Sequence, residues 1–356
     1  MLLLILFILS SLLLGFAIVT SIKFMQTWME KISATILIGL SISTLIAFAF
    51  SLFLKSLSDT ALIATILLNF AVAFSILQMK KRAELQKNKG IAKEEKSLLL
   101  RAKTYFLKIR WPEILVFAIL VVIAYFNSIS IAQNENGDIT AISNTWADYA
   151  LHIGIINSFA MRDNFPPVYP NLAGAQMRYP FLTDFLSAIF VWEGISLVDS
   201  IVIPNLFLIF CLISISFAFL RRFIGNNGLA AIAMILFFFN GNFGFVPFLQ
   251  DWGNAGYNFE FLANPPRVYS FMPVDSNNLQ FMNLTYSVFI PQRSALMGFP
   301  IVMLCLLLLW RIQKNEAEPA EYLLCALLIG ILPLIHPSSF VIGAFFAAWI
   351  IGTAII

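Results

Sequence analysis

The residues best suited to chemistry lie between two apolar stretches, where Asp148 and His152 stand four positions apart. The segment 148–160 has the pattern of an amphipathic helix at a membrane surface, so residues four apart share one face. An aspartate and a histidine placed in this way can act as a base or metal ligand (Asp148) that the imidazole orients or assists. They equally fit a structural arrangement in which Asp148 caps the helix and pairs with His152.

Arginine supplies all the positive charge in or beside the two long polar loops, 134–180 and 248–292. These cations are Arg162, Arg178, Arg267 and Arg293. Guanidinium groups bind phosphate bidentately and keep their charge in a low dielectric. The pattern therefore fits an anionic lipid headgroup, with Arg293 as the preferred phosphate ligand and Arg178 as the next choice. Interfacial anchoring and salt bridges that brace the loops are the structural alternatives.

Two more ionisable residues lie where loops meet apolar segments. Asp184 is just inside one such segment, where a charge is costly and often functional, although it could simply pair with Arg178. His336 follows an apolar run and is a candidate phosphate ligand, although a histidine at an interface more often makes a structural hydrogen bond. With two histidines in the whole chain, a zinc site is disfavoured. Nucleotide-binding and nucleic-acid-binding motifs are missing from the sequence.

Membrane-spanning helices must position these residues. The chain is 60% hydrophobic and 12% charged, whereas soluble domains are about 45–50% apolar and about 25% charged. Its apolar residues form blocks close to the roughly 20 residues that span a bilayer, without the alternation of barrel strands. We therefore predict an all-α polytopic fold of about nine or ten spans, with a juxtamembrane helix in the first long outer loop. The predicted spans are 1–20, 33–54, 59–79, 112–133, 199–220, 228–247, 296–311, 321–336 and 339–356.

Charge asymmetry predicts the orientation. Eleven of the 22 Lys and Arg residues fall between Lys80 and Arg110, which places that linker inside and both long loops outside. The segment 181–195 is short and carries two acids, so we expect it to enter the membrane only partway; a full crossing would move the second loop inside. The sequence ends within a hydrophobic run, and we expect the natural chain to continue.

Several motifs resemble the GT-C superfamily of polytopic glycosyltransferases, especially its aminoarabinose and protein-mannosyl transferase branches. They are Ala147-Asp148-Tyr149-Ala150, Asp163-Asn164-Phe165-Pro166-Pro167 and Tyr179-Pro180-Phe181-Leu182. The resemblance covers about 112–300. It suggests a GT-C-like core over 112–356, preceded by a three-span region with a basic linker over 1–111.

The resemblance implies transfer of a sugar from a polyprenyl-phosphate donor to a glycan, lipid or protein acceptor, at the outer face of a prokaryotic plasma membrane. Asp148 would deprotonate the acceptor, and Arg293, Arg178, Arg267 and His336 would bind the substrate or its phosphate. Many family members carry an acidic pair where this chain has only Asp148. A second acid would be Asp251 or Glu260, and a divalent metal, Mg²⁺ or Mn²⁺, would have Asp148 as a ligand.

Three alternatives remain open at the level of sequence. A polyprenyl-diphosphate-linked glycan ligase or polymerase would use arginine and histidine near the outer face, as Arg293 and His336 could provide. A transporter or flippase would carry ionisable groups within the membrane. A non-catalytic assembly subunit would need none of these residues.

Overall fold

Apolar helices make up most of the computed structural model, which describes residues 1–22, 24–87, 110–142, 145–241, 244–266, 269 and 283–355. In chain order the helices are α1 (Leu2–Ser21), α2 (Trp28–Leu54), α3 (Asp59–Lys87), α4 (Trp111–Ile129), α5 (Trp146–Arg162), α6 (Leu182–Trp192), α7 (Leu197–Ile224), α8 (Asn227–Phe238), α9 (Phe245–Asn254), α10 (Phe259–Ala263), α11 (Arg293–Gln313), α12 (Pro319–Ile335) and α13 (Pro337–Ile355). Six of them, α1 to α4, α7 and α11, are long and apolar enough to cross a bilayer. The chain is therefore an all-α integral membrane protein.

Of the remaining apolar helices, α6, α8 and α12 are shorter, and the apolar stretch of α13 is Pro337–Thr353. The expected count of nine or ten spans depends on them and stays a prediction. The predicted span 228–247 is wrong as one helix, because α8 ends at Phe238 and α9 begins only at Phe245. Asn240 lies in the break and accepts a hydrogen bond from the backbone N–H of Leu284 at 3.0 Å. The interruption thus ties the second long loop to the end of α8.

A short hairpin follows α4, and the helical pattern of the sequence did not predict it. Strands β1 (Ile131–Gln133) and β2 (Ile139–Ala141) pair antiparallel, with Ile131 opposite Ala141. Asn134 closes the turn by accepting from the backbone N–H of Asp138 at 2.8 Å, and Gly137 adopts the left-handed conformation that the turn needs. The hairpin leads the chain from the end of α4 to the start of α5.

The first three helices form a bundle that packs on the rest of the protein through α2. Gly15 and Gly39 let α1 and α2 approach closely, since a Cβ at Gly39 would lie 2.2 Å from the backbone oxygen of Ser11. Phe48 of α2 contacts the rings of Phe159 on α5 and Phe185 on α6. The N-terminal region therefore supports the helices that carry the candidate site.

The helix ends define two opposite faces. At the basic face, Arg221 and Arg222 at the end of α7 bond to the buried Glu30 at the start of α2. At the loop face, Ser56 donates to Asp163 at 2.7 Å, and the N-terminal amine of Met1 pairs with Glu193. This arrangement agrees with the orientation that the positive charges predict, with the first loop opposite the basic ends.

Helix α6 has both of its ends at the loop face. The backbone N–H of Phe181 before it donates to Leu334 near the end of α12, and Trp192 at its other end donates to Asp59 at the start of α3. Its 11 residues, at about 1.5 Å each, reach only about half of the roughly 30 Å hydrocarbon core. Segment 181–195 thus forms a buried helix near one face, consistent with partial entry into the membrane.

Candidate functional site

One face of α5 is buried against α6. Tyr149, His152, Ile156 and Phe159 are all buried and follow the three-to-four-residue spacing of a single helix face. The predicted helix is confirmed and is longer than the expected 148–160, while its place at the membrane surface stays a prediction. Its packing turns His152 into the protein, where the imidazole is only 1% exposed.

His152 pairs with Asp184 of α6. Its Nδ1 lies 2.8 Å from Asp184 Oδ2, and both side chains are almost fully buried. Two pairings that the sequence left open as alternatives are therefore wrong: that of His152 with Asp148 and that of Asp184 with Arg178. Both failed because α5 and α6 pack directly on each other, which brings a residue 32 positions away closer than the neighbour one turn back.

Arg293, the first residue of α11, completes the cluster. Its Nη1 donates to Asp184 Oδ1 at 2.8 Å, its Nη2 to Ser187 Oγ at 2.6 Å and its Nε to Asn205 Oδ1 at 3.2 Å. The side chain is 0% exposed. The guanidinium is thus occupied by protein acceptors in this structure and does not face a phosphate site, contrary to the preferred role expected from sequence.

Polar residues of α4 and α7 extend the cluster. Asn205 donates to Asn127 Oδ1 at 3.0 Å, and Ser187 donates to the backbone oxygen of Ser200. Each of these neutral groups would cost roughly 1–3 kcal/mol if it were buried without a hydrogen bond. The hydrogen bonds of the network avoid that cost, so each group stabilises its neighbours. Sequence analysis missed Asn127, Ser187 and Asn205, although polar side chains inside apolar segments are a signal that could have found them.

The other imidazole nitrogen of His152 is left without a partner. Nε2 is buried and makes no hydrogen bond in the described part of the chain. Asp184 engages Nδ1, so Nε2 is the ring nitrogen that remains free to donate or to accept, according to the tautomer. The nearest aromatic ring contact is Tyr179, whose centroid lies 6.0 Å away.

Asp148 stands apart from this cluster. It is half-buried in the first turn of α5 and makes no hydrogen bond or ion pair with any residue that the structure describes. Burial, followed by the charges of Asp184 and Asp148, raises the pKa of Tyr179 to about 12. Tyr179 therefore remains a neutral hydrogen-bond donor near Asp148. Burial also raises the pKa of Tyr149, whose hydroxyl bonds to Ser130 at 2.7 Å.

The predicted phosphate ligands that the structure describes differ in their surroundings. Arg178 is exposed and has no bonding partner within residues 1–22, 24–87, 110–142, 145–241, 244–266 and 283–355. His336 is buried at the end of α12, where Nδ1 bonds to Ser339 Oγ at 2.8 Å and the imidazole packs beside Phe299. That placement matches a structural hydrogen bond. Arg267 lies outside the described residues.

The two candidates for a second acid lie on the helices of the second loop. Asp251 of α9 accepts a hydrogen bond from the Tyr269 hydroxyl at 2.7 Å, and Glu260 of α10 is exposed. Neither forms a hydrogen bond or ion pair with Asp148 or His152. The role of either residue as a second acid stays a prediction.

A protein-only metal site is not formed by the described residues, which contain no group of three or more His, Cys, Asp or Glu suited to hold an ion. Asp148 offers one carboxylate, and Mg²⁺ sites with few carboxylates complete their oxygen coordination with waters and substrate phosphates.

Comparison of the chain with protein-family models, with curated proteins and with solved structures gave no match.

Proposed function

We propose that this protein is a membrane glycosyltransferase that moves a sugar from a polyprenyl-phosphate donor to a hydroxyl group of a glycan, lipid or protein acceptor. The supporting observation is Asp148, a half-buried carboxylate without a described partner, one helical turn from the anchored His152. A carboxylate that the fold leaves unpaired is available to accept a proton. The apolar helices give a lipid-linked donor a membrane environment.

In the proposed reaction, the hydroxyl oxygen of the acceptor attacks the anomeric carbon of the donor sugar. Asp148 accepts the proton of that hydroxyl group. The bond from that carbon to the phosphate oxygen breaks, and polyprenyl phosphate leaves with the electron pair. Arg178, exposed and unpaired among the described residues, stabilises the leaving phosphate. Arg293 acts at a distance by holding Asp184, which holds His152 and thereby fixes α5.

The same geometry disfavours the diphosphate-linked ligase. That function would require Arg293 and His336 to meet the substrate, and both are buried and bonded to protein groups.

The test is release of polyprenyl phosphate by the full chain in nanodiscs, supplied with a panel of polyprenyl-phosphate sugars. We expect Asp148→Asn to reduce release by about 10²-fold or more, because general-base catalysis typically contributes about 10²–10⁴-fold. Glu135→Gln is the matched control, since Glu135 is an exposed acid in the hairpin of the same loop. Full release by a folded Asp148→Asn variant, or none by the wild-type protein from any donor, would refute the proposal.

A transporter or flippase is the second candidate, and one observation favours it. His152, Asp184 and Arg293 form a buried ionisable cluster between helices, as in proton-coupled carriers. Uptake of a labelled solute into proteoliposomes, abolished by Asp184→Asn and unchanged by Asp148→Asn, would support this function over glycosyl transfer.

A further inference from the structure

A cleft at the basic face lies far from the candidate site and has no role in the proposed reaction. Its volume is about 520 Å³, within the range of roughly 300–1,000 Å³ typical of ligand sites. The lining that matters consists of Arg221, Arg222, Arg311, Lys314, Phe24 and Trp310. Four cations and two aromatic rings therefore surround one concave space at the ends of α7 and α11.

Two buried acids hold the arginines in place. Glu30 bonds to Arg221 at 2.7 Å and also to Arg222, while Glu321 accepts from Arg311 Nε at 3.1 Å. Both carboxylates are almost fully buried, so they lie behind the guanidinium groups. The arginines are thus ordered before any ligand arrives, which lowers the entropic cost of binding.

Donor capacity remains after these bonds are made. Arg222 Nη1 has no hydrogen-bond partner among the residues that the structure describes, and both described bonds of Arg221 leave from its Nη2. Lys314 Nζ lies 4.4 Å from the Trp310 ring centre and pairs with no acid of the described chain. Glu316 is an exposed carboxylate at the rim of the cleft, 3.5 Å from Arg311. Because exposed ion pairs are weak, Glu316 competes only weakly with an anion for Arg311.

We propose that this cleft binds a phosphate-bearing anion, supplied either by an anionic phospholipid headgroup or by a soluble phosphate compound. Pre-ordered arginines match phosphate geometry, and a lysine adds a mobile positive charge. Trp310 provides the aromatic anchor that is common where helices leave a membrane. The proposal does not rest on glycosyl transfer.

The lipid arm uses native mass spectrometry of the full chain in a neutral detergent, comparing phosphatidylglycerol with phosphatidylcholine. The soluble arm measures the thermal stability of the same protein with inorganic phosphate against equal ionic strength of chloride. We expect Lys314→Gln to weaken phosphate-dependent binding about five-fold and Glu316→Gln to strengthen it, because each changes one charge at the rim. Both residues are exposed, so these variants should fold.

Lys81→Gln is the control, since Lys81 is an exposed lysine on α3 and does not line the cleft. A preference for phosphatidylglycerol that Lys314→Gln reduces, without a phosphate response, identifies a lipid headgroup. A phosphate response that Lys314→Gln reduces, without lipid preference, identifies a soluble compound. Equal effects of Lys314→Gln and Lys81→Gln, or no preference in either arm, would overturn the proposal.

Discussion

His152 Nδ1 lies 2.8 Å from Asp184 Oδ2, although Asp148 stands one turn away on the same helix. The two carboxylates consequently have different surroundings. Asp184 is almost fully buried and also binds Arg293, whereas Asp148 is half-buried and unpaired within the described chain. This division supports the positioning role proposed for Asp184 and the role of base proposed for Asp148.

Removing Arg293 should strongly destabilise the protein. Arg293→Gln leaves Asp184 buried without its cationic partner, which typically costs about 3–5 kcal/mol. The double variant Asp184→Asn with Arg293→Gln buries no unpaired charge and should be more stable than Arg293→Gln alone. Denaturation of the wild type, Asp184→Asn, Arg293→Gln and the double variant in one detergent measures the coupling energy as a double-mutant cycle. Additive effects would show that the buried pair contributes no coupling energy.

His152 should tolerate asparagine better than alanine. The amide of His152→Asn can still donate to Asp184, while it removes the free Nε2. If His152 only anchors α5, polyprenyl phosphate release by His152→Asn should stay within about ten-fold of wild type, and His152→Ala should fall further. Equal losses in both variants, with thermal stability retained, would instead assign a proton-transfer role to Nε2.

Tyr179 should ionise far above an ordinary tyrosine. Burial and the nearby carboxylates disfavour the phenolate and raise the pKa of Tyr179 to about 12, so the phenol should remain neutral at about pH 10, where a free tyrosine is half ionised. Ultraviolet difference titration of wild type against Tyr179→Phe measures this ionisation. Asp148→Asn should shift it downward, because one repelling charge is removed; an unshifted titration would place Asp148 too far away to act on Tyr179.

The close crossing of α1 and α2 should tolerate no side chain at Gly39. A Cβ there would lie 2.2 Å from a backbone oxygen, so we expect Gly39→Ala to destabilise the protein by about 1–3 kcal/mol. Gly330→Ala is the matched control, because open space surrounds that helical glycine and the substitution should be neutral or stabilising by up to about 1 kcal/mol. Equal melting temperatures for both variants would contradict the close packing.

Introduced cysteines should report the two faces. Glu135→Cys in the hairpin and Glu316→Cys beside the basic cleft are exposed and should react with an impermeant maleimide from opposite sides of a sealed membrane. The three native cysteines are buried and should remain unlabelled, which makes the native chain the control. Labelling of both introduced cysteines from the same side would reject the arrangement of helix ends.

Much of the fold could be predicted because bilayer insertion imposes a simple requirement. Apolar blocks near 20 residues must satisfy their own backbone hydrogen bonds, so the long helices follow from hydropathy alone. The positive residues likewise predicted which helix ends lie together, as the contacts of Glu30 with Arg221 and Arg222 agree. The predicted span 228–247 was too long because α8 ends at Phe238, just before the turn-forming pair Asn240-Gly241.

The sequence by itself determined that this is a helical membrane protein and drew attention to Asp148, His152 and Arg293. Only the tertiary structure decided which of them meet. Spacing along one helix measures proximity within that helix, but the packing of α5, α6 and α11 brings together residues more than 100 positions apart, as Asp184 and Arg293 show. The buried guanidinium of Arg293 is bound by protein groups, whereas the half-buried Asp148 is unpaired within the described chain. The physical reason is that a charge inside the helix bundle needs a partner, while a charge at its edge can be hydrated.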